Sequence, residues 1–219
     1  MKKLFFSMFC LLMIGSGYAQ NMILHDPVSS RVFNTYKYSE IRGTPFLFDK
    51  WITGSVNIPQ GRYADLQLKY DVYENTLLFN RNDQSFEFQD PVLSFTLMPD
   101  PGDSSNYLYF TKGISATGLK ENQFVQVLTE GKISLYKSDI KLLSELNEIN
   151  RGVVQSFSKS SRYFALKNNS IELIKLNKNE ILALVGDKEK EVSAFISKYK
   201  LSFKKEQDII AIVDYYNTQ

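Results

Sequence analysis

Alternation of apolar and polar side chains over residues 62–80 constrains the fold of this chain more than any other feature. The apolar members of the first half occupy every second position: Leu66, Leu68, Tyr70 and Val72. This two-residue period is typical of a half-buried β-strand. Glu74 and Asn75 supply a turn, and a second apolar run follows them. The stretch therefore predicts a β-hairpin, and it contains no recognisable chemistry.

Residues 1–19 have the pattern of a secretory signal peptide. Lys2 and Lys3 form a basic start, and the apolar run 4–14 is too short to span a bilayer as a stable helix. A small-x-small cleavage site ends at Ala19, so the mature chain is predicted to begin at Gln20. An uncleaved anchor is the alternative. We expect export to the periplasm or the cell surface.

The only cysteine, Cys10, lies inside the apolar run of the predicted signal. The residues before it are not those of a lipoprotein signal, so a lipid anchor is not expected. Cleavage removes Cys10, which leaves no disulfide, no thiolate nucleophile and no cysteine-ligated metal.

The charge balance argues against a nucleic-acid partner. The full chain has 26 basic and 24 acidic residues, and loss of Lys2 and Lys3 with the signal makes the mature chain formally neutral. A neutral domain lacks the basic footprint of nucleic-acid binders. No later segment approaches the about 20 apolar residues of a membrane helix, so no membrane span is expected in the mature chain.

Short strands separated by turn residues indicate an antiparallel β-meander over residues 20–137. An edge strand could begin at 36–38, and clearer strands are predicted over 46–48, 52–58, 84–89, 92–98, 107–111, 124–128 and 133–136. Residues 138–161 are interpreted as a crossing segment or loop, with a short amphipathic helix from Ile140 to Ile149 and a serine-rich loop over 155–161.

The last segment, 162–219, is predicted to hold a hairpin and three short helices, packed on the same sheet or beside it. Asn168 and Asn169 form the hairpin turn, because asparagine tolerates positive φ. The predicted helix caps are Asn177, Asp187 and Ser202. Val192, Phe195, Ile196 and Tyr199 share one face of the second helix, and Ile209, Ile212, Val213 and Tyr216 share one face of the third. The fold class is therefore α+β.

Candidate chemistry is sparse, and no catalytic residue, metal ligand or cofactor is predicted. The single histidine, His25, would have to serve any Ser-His-Asp triad or zinc site. Four strand-end carboxylates could build an acid/base pair: Asp65, Asp71, Glu74 and Asp90. Oxygen ligands for calcium occur at Asp100, Asp103 and Asn106, without the EF-hand pattern, so a plain turn is the preferred interpretation.

Three aromatic residues, Trp51, Tyr70 and Tyr73, are the candidate ligand-binding residues. On a sheet face they could form a patch for a glycan or a peptide. Cross-strand packing is the competing and preferred interpretation in a chain this rich in aromatics.

Two stretches resemble small secreted proteins of unknown function from Bacteroidota. The first comprises GTPFLFDKWITGSV and LKYDVYENTLLF, and the second runs from YFALKNNSIELIKL to the closing Tyr215, Tyr216 and Asn217. The resemblance covers about residues 46–80 and 162–217. It implies export and a shared architecture, and it carries no activity and no catalytic residue.

The expected function is that of an exported, non-enzymatic interaction or accessory module with an unknown protein partner. A small-ligand or glycan binder is the first alternative, and a concave aromatic cleft would favour it. A carboxylate-based hydrolase is the second, and two close, buried carboxylates with shifted pKa values would favour that.

Overall fold

The computed structural model describes residues 30–148 and 152–219. The predicted signal peptide, Cys10, His25 and Ile149 lie outside these residues. The described chain is a mostly antiparallel β-sheet followed by three short helices, so the α+β class is confirmed. Among the described helices, none combines the length and hydrophobicity that a membrane crossing requires.

Eleven strands form one sheet. Their bounds are β1 Ser30–Val32, β2 Ile52–Ile58, β3 Gly61–Asp71, β4 Thr76–Arg81, β5 Gln84–Phe88, β6 Ser94–Leu97, β7 Leu108–Thr111, β8 Val125–Thr129, β9 Ile133–Glu148, β10 Gly152–Lys167 and β11 Ser170–Ile174. The hairpin over 62–80 becomes β3 and β4. Its turn residue Asn75 has a φ of 57°, in the left-handed region that asparagine tolerates better than most residues.

The strand order is β1-β5-β4-β3-β2-β6-β7-β8-β9-β10-β11. Consecutive strands are neighbours from β2 to β5 and again from β6 to β11. The order departs from a simple meander at β6, which pairs with β2 rather than β5. A register shift between Gly54 and Val56 marks a bulge in the β2–β3 pair, where Asp65 has a φ of 55°.

The prediction for residues 138–161 was wrong. Residues 138–148 and 152–161 form the outer parts of β9 and β10, which stay in register over their full 16-residue lengths. Apart from Ser138 and Asp139, the described residues of this outer ribbon are half-buried or exposed, and they lack the regular apolar/polar alternation that reveals a half-buried strand. The expected edge strand at 36–38 is also corrected, because Thr35–Tyr38 is a short 3-10 helix capped by Asn34.

The three helices are α1 Lys178–Leu184, α2 Glu189–Tyr199 and α3 Glu206–Asn217. The Asn177 cap of α1 is confirmed, since its Oδ1 accepts a bond from the Glu180 amide at 3.1 Å. The other two predicted caps are corrected. Asp187 lies in a 3-10 turn before α2, and α3 begins after Lys205, with no side-chain cap. All four predicted apolar residues of α3 are buried.

The apolar core has two main parts. The first lies in β2–β7, where aromatic rings such as Phe95 and Phe110 are almost completely buried. The second lies where α1–α3 cover β9, β10 and β11, and it is mainly aliphatic. A small third cluster, around Val125, Tyr136 and Phe164, packs against residues 114–119.

Residues 33–48, which we call the strap, connect the first half of the sheet to β10. The amide of Phe33 bonds to Ser85 at 2.9 Å, beside β5. Arg42 bonds through its backbone to Gln155 and Phe157 of β10, both at 2.9 Å. The Leu47 amide then donates to the Tyr70 carbonyl of β3 at 3.0 Å. The strap therefore holds the β9–β10 ribbon against the first half of the molecule.

Candidate binding surfaces

Tyr70 is a core residue. Its side chain is 2% exposed and its ring contacts Phe95, Phe110 and Phe124, with centroids 5.3–5.8 Å apart. The hydroxyl donates to Asn75 Oδ1 at 2.9 Å. Burial holds the pKa of Tyr70 well above its usual range. A ligand cannot reach this ring without opening the core.

Trp51 and Tyr73 are half-buried and lie in different surroundings. The Lys69 ammonium lies 5.6 Å from the Trp51 ring. Tyr73 makes edge contacts with Tyr38 of the strap and Phe157 of β10. Within the described chain, no ring contact joins Trp51 to either tyrosine. The three predicted binding residues therefore do not form one patch. Tyr70 lies in the core, Trp51 lies just before β2, and Tyr73 contacts the strap.

Asp71 is the one predicted carboxylate that the structure buries, with an exposure of 0%. Its oxygens accept bonds from the Tyr38 hydroxyl at 2.7 Å and from the Glu74 amide at 2.9 Å. Burial raises the pKa of Asp71, and these hydrogen bonds partly oppose the shift. Each donor belongs to the strap or to the β3–β4 turn, so Asp71 joins these two segments.

The remaining predicted carboxylates lie nearer the surface. Asp65 is exposed at the bulge of β3, and Glu74 forms an ion pair with Lys37 at 3.0 Å. Asp90 is half-buried and accepts a bond from Gln60 at 2.9 Å. Among these four acids, only Asp71 and Glu74 interact with each other.

The loop proposed for calcium is organised by its own hydrogen bonds. Asp103 caps the short helix Ser104–Asn106, and its oxygens accept bonds from Ser105 and Asn106. Asp100 accepts a bond from the Gly102 amide at 3.1 Å. In the described part of the chain, no group of three or more acidic, histidine or cysteine side chains is arranged to hold a metal ion.

Sequence reasoning missed the outer part of the β9–β10 ribbon, where most described residues are half-buried or exposed. Strand β8 pairs with β9 only as far as Lys137, and β11 pairs with β10 only from Tyr163. Beyond these points, the described chain places no other strand beside β9 or β10. The strap covers part of the β10 edge through Arg42, and Gln123 bonds to Ser138 at 2.9 Å at the base of β9. Beyond that base, no strand among the described residues pairs with the outer edge of β9.

Large apolar side chains on this ribbon face solvent. Leu142 and Leu146 of β9 are each 54% exposed, and Val153 of β10 is 64% exposed. Glu145 is exposed and accepts a bond from Gln155 across the pair at 3.0 Å. Open strand edges with apolar side chains are sites where another chain can add a strand.

Comparisons with known proteins add no relative: no family model matches the chain, and no significant match was found among curated proteins or solved structures.

Proposed function

We propose that this chain is an exported, non-enzymatic interaction module whose binding element is the open outer edge of β9. The observation that carries the proposal is the combination of an unpaired strand edge with the exposed residues Leu142 and Leu146. Unpaired backbone groups on such an edge can bind an extended segment of another chain.

The first partner to consider is a second copy of the chain, because the β9 edge is complementary to itself. In an antiparallel pairing centred on Leu143, Lys141 lies opposite Glu145 of the second copy, and the two-fold axis repeats this pair. Opposite charges facing each other across two strands are favourable. Shifting the centre by two residues either way places Lys141 opposite Lys141 or Glu145 opposite Glu145.

The pairing is confined to about residues 141–145. Towards the base of β9, the Gln123 side chain of the preceding loop donates to the Ser138 hydroxyl, so this loop lies beside the strand there. A contact this small is of the weak, transient class, well below the area of a stable dimer. The dimer is therefore expected only at high protein concentration.

Sedimentation equilibrium tests the pairing. The chain from Gln20 should form dimers over about 10 µM to about 1 mM, the range expected of a weak interface. Glu145→Lys should abolish the dimer, because it places lysine opposite lysine, and the double variant Lys141→Glu/Glu145→Lys should restore it. Glu172→Lys on β11 is the matched control and should have no effect.

Two results would contradict the proposal. One is a monomer at every concentration, and the other is a double variant no more dimeric than the single variant. Leu142→Ser should also weaken the dimer without changing the free energy of unfolding, since this side chain is already 54% exposed.

Export is supported by the pattern of residues 1–19 and by the resemblance to secreted Bacteroidota proteins, with which we propose kinship. Fractionation of expressing cells should place the protein in the periplasm or at the cell surface. Sequencing of its amino terminus should begin at Gln20. Recovery of the uncleaved chain in the inner membrane would contradict export.

The hydrogen bonds made by Asp71 support the proposal that the protein is not an enzyme. This buried carboxylate has both oxygens occupied by donors of its own chain, as expected of a structural rather than a catalytic acid. A ligand-binding patch built from Trp51, Tyr70 and Tyr73 is not favoured, because Tyr70 is buried in the core.

A further inference from the structure

Two adjoining cavities lie beside the loop that connects β5 to β6. The smaller has a volume of about 250 Å³ and the larger about 590 Å³. Pro91, Val92 and Lys112 line both. The wall of the smaller cavity also includes Thr76, Gln89 and the rings of Phe88 and Phe124. This site is distinct from the β9 edge and does not depend on the proposed pairing.

Lys112 is the charged group common to the two cavities. It is half-buried, and its ammonium lies 4.3 Å from the centroid of the Phe124 ring. Among the described residues it has no carboxylate or carbonyl oxygen within hydrogen-bonding distance. Burial lowers the pKa of Lys112. The cation therefore loses hydration without gaining a counter-ion.

The two acidic residues that line the smaller cavity have partners other than Lys112. Glu87 is bound by the Arg31 guanidinium, whose Nε lies 3.2 Å from the carboxylate. Asp90 accepts a bond from Gln60 at 2.9 Å. Neither carboxylate forms an ion pair with Lys112, so the ammonium is free to bind a ligand, while Asp90, whose partner is a neutral amide, keeps a negative charge in the same wall.

Lys167 offers a contrast at the other end of the sheet. It lines a groove of about 400 Å³ between β11 and α1. Its ammonium bonds to the Leu184 carbonyl at 2.6 Å and to Asp187 at 2.9 Å. The groove at α1 thus has a lysine with a structural partner, whereas the cavities at Lys112 have one without.

We propose that Lys112 binds the carboxylate of a small, hydroxyl-bearing acid, such as a sugar acid, in these cavities. An ammonium and a carboxylate form a charge-assisted hydrogen bond, the strong class of such bonds. Gln89 and Thr76 line the same cavity, and their amide and hydroxyl groups suit hydroxyls on the ligand. Phe88, which is half-buried in the same wall, supplies an apolar surface for its C–H groups.

The volume limits the size of the ligand. Sites for drug-sized molecules occupy roughly 300–1,000 Å³, and the smaller cavity, at about 250 Å³, lies just below that range. A single sugar ring or a short acid is the appropriate size.

Titration of the ¹⁵N-labelled chain followed by amide NMR tests the site. Sodium glucuronate is the main probe, glucose is the neutral probe and acetate is the bare carboxylate, all at constant ionic strength. Glucuronate should shift the amides of Lys112, Gly113 and Phe124 saturably, whereas glucose should not. Acetate should bind more weakly than glucuronate.

Lys112→Met should weaken glucuronate binding by at least about tenfold, the effect of losing one charge-assisted bond. Methionine keeps an apolar chain against Phe124, so the fold should persist, and an unchanged thermal unfolding midpoint checks this. Lys120→Met is the control, because Lys120 is exposed and outside both linings.

Absence of saturable shifts with glucuronate would overturn the site. Equal binding by Lys112→Met and the wild-type chain would overturn the role of Lys112. Equal binding of acetate and glucuronate would overturn the role of the ligand's hydroxyl groups.

Discussion

The two halves of the sheet build their cores in different ways. In β2–β7 the buried cluster contains six aromatic residues: Tyr63, Tyr70, Phe79, Phe95, Phe110 and Phe124. In the half that α1–α3 cover, the fully buried aromatic residue of the cluster is Tyr216, and the rest are aliphatic. Aromatic rings fill the space over a sheet face with few residues. Helices supply the second layer in the other half, so smaller side chains are sufficient there.

The polar groups that join segments also differ between the halves. Asp71 is buried in the first half, and its pKa is raised by that burial. Asp187 is exposed in the second half, where hydrogen bonds from Lys167 and Tyr216 lower its pKa. The Asp71 carboxylate loses its hydration on folding. The Asp187 carboxylate stays exposed to water and gains hydrogen bonds from the protein. Their ionisation should therefore affect stability with opposite signs.

The largest expected effects come from truncating one residue in each core. Phe95→Ala should lower the free energy of unfolding by about 3–5 kcal/mol, and Ile212→Ala by about 2–5 kcal/mol. Both side chains are 0% exposed. Urea unfolding can be followed by the fluorescence of Trp51, the only tryptophan, and by the circular dichroism of the helices. Because one continuous ladder joins the halves, each variant should shift both signals together. Separate transitions would show two independent units.

A smaller loss of stability is expected from Gly54→Ala. A Cβ at this position would lie 2.2 Å from the Thr96 carbonyl oxygen and 2.7 Å from Leu68 Cδ1. The strands β2 and β6 would have to separate, at a cost of about 1–3 kcal/mol or more. Gly186→Ala is the control, since nothing lies within 4 Å of its Cβ position. Equal unfolding midpoints for the two variants would show that the close approach of β2 and β6 is unimportant.

The next smaller effect on the free energy of unfolding is expected from Asp71→Asn, and it depends on pH. A carboxyl whose folded pKa is raised contributes stability that is complete below its unfolded pKa, about 3.9, and is lost as pH rises through the folded pKa. The stability of the wild-type chain relative to Asp71→Asn should therefore fall as pH rises, by at most about 1.4 kcal/mol per pH unit. Urea unfolding between about pH 3 and 7 measures the difference, and an increase with pH would contradict the burial argument.

The smallest effect is expected from Asp187→Asn, because the carboxylate is 56% exposed. Its folded pKa is lowered, so its contribution is present above the unfolded pKa and is lost as pH falls through the folded pKa. The wild-type advantage over Asp187→Asn should shrink on acidification below about pH 4. Thermal unfolding checks this, and an advantage that grows in acid would refute the assigned contacts.

Local patterns were sufficient for the hairpins and for the buried face of α3, whereas Tyr199, predicted on the apolar face of α2, is 55% exposed. The Asn168 and Asn169 turn was predicted, and both residues have positive φ, at 51° and 60°. The Asn177 cap was predicted because capping depends on residues three positions apart. These features are decided by contacts between near neighbours in the chain, so the sequence is enough to identify them.

The candidate sites could not be predicted in the same way. The outer ribbon lacks a regular apolar/polar alternation to detect, and its serines resembled those of a loop. Lys112 is one of many lysines in the sequence, and it is distinguished only by the cavities and by the lack of an acid beside it. Tyr70 could have been a surface or a core residue until the sheet was assembled.

The sequence by itself determined most of the strand and helix segments with clear periodicity and several of the turns, because each depends on residues within a few positions. Tertiary structure decided that β6 pairs with β2, that the strap joins β5, β10 and β3, and that the β9 edge stays open. Hydrogen bonds between distant strands have the same backbone chemistry whatever their side chains. Which edges meet is therefore decided by packing of the whole sheet, and so is the location of any binding surface on it.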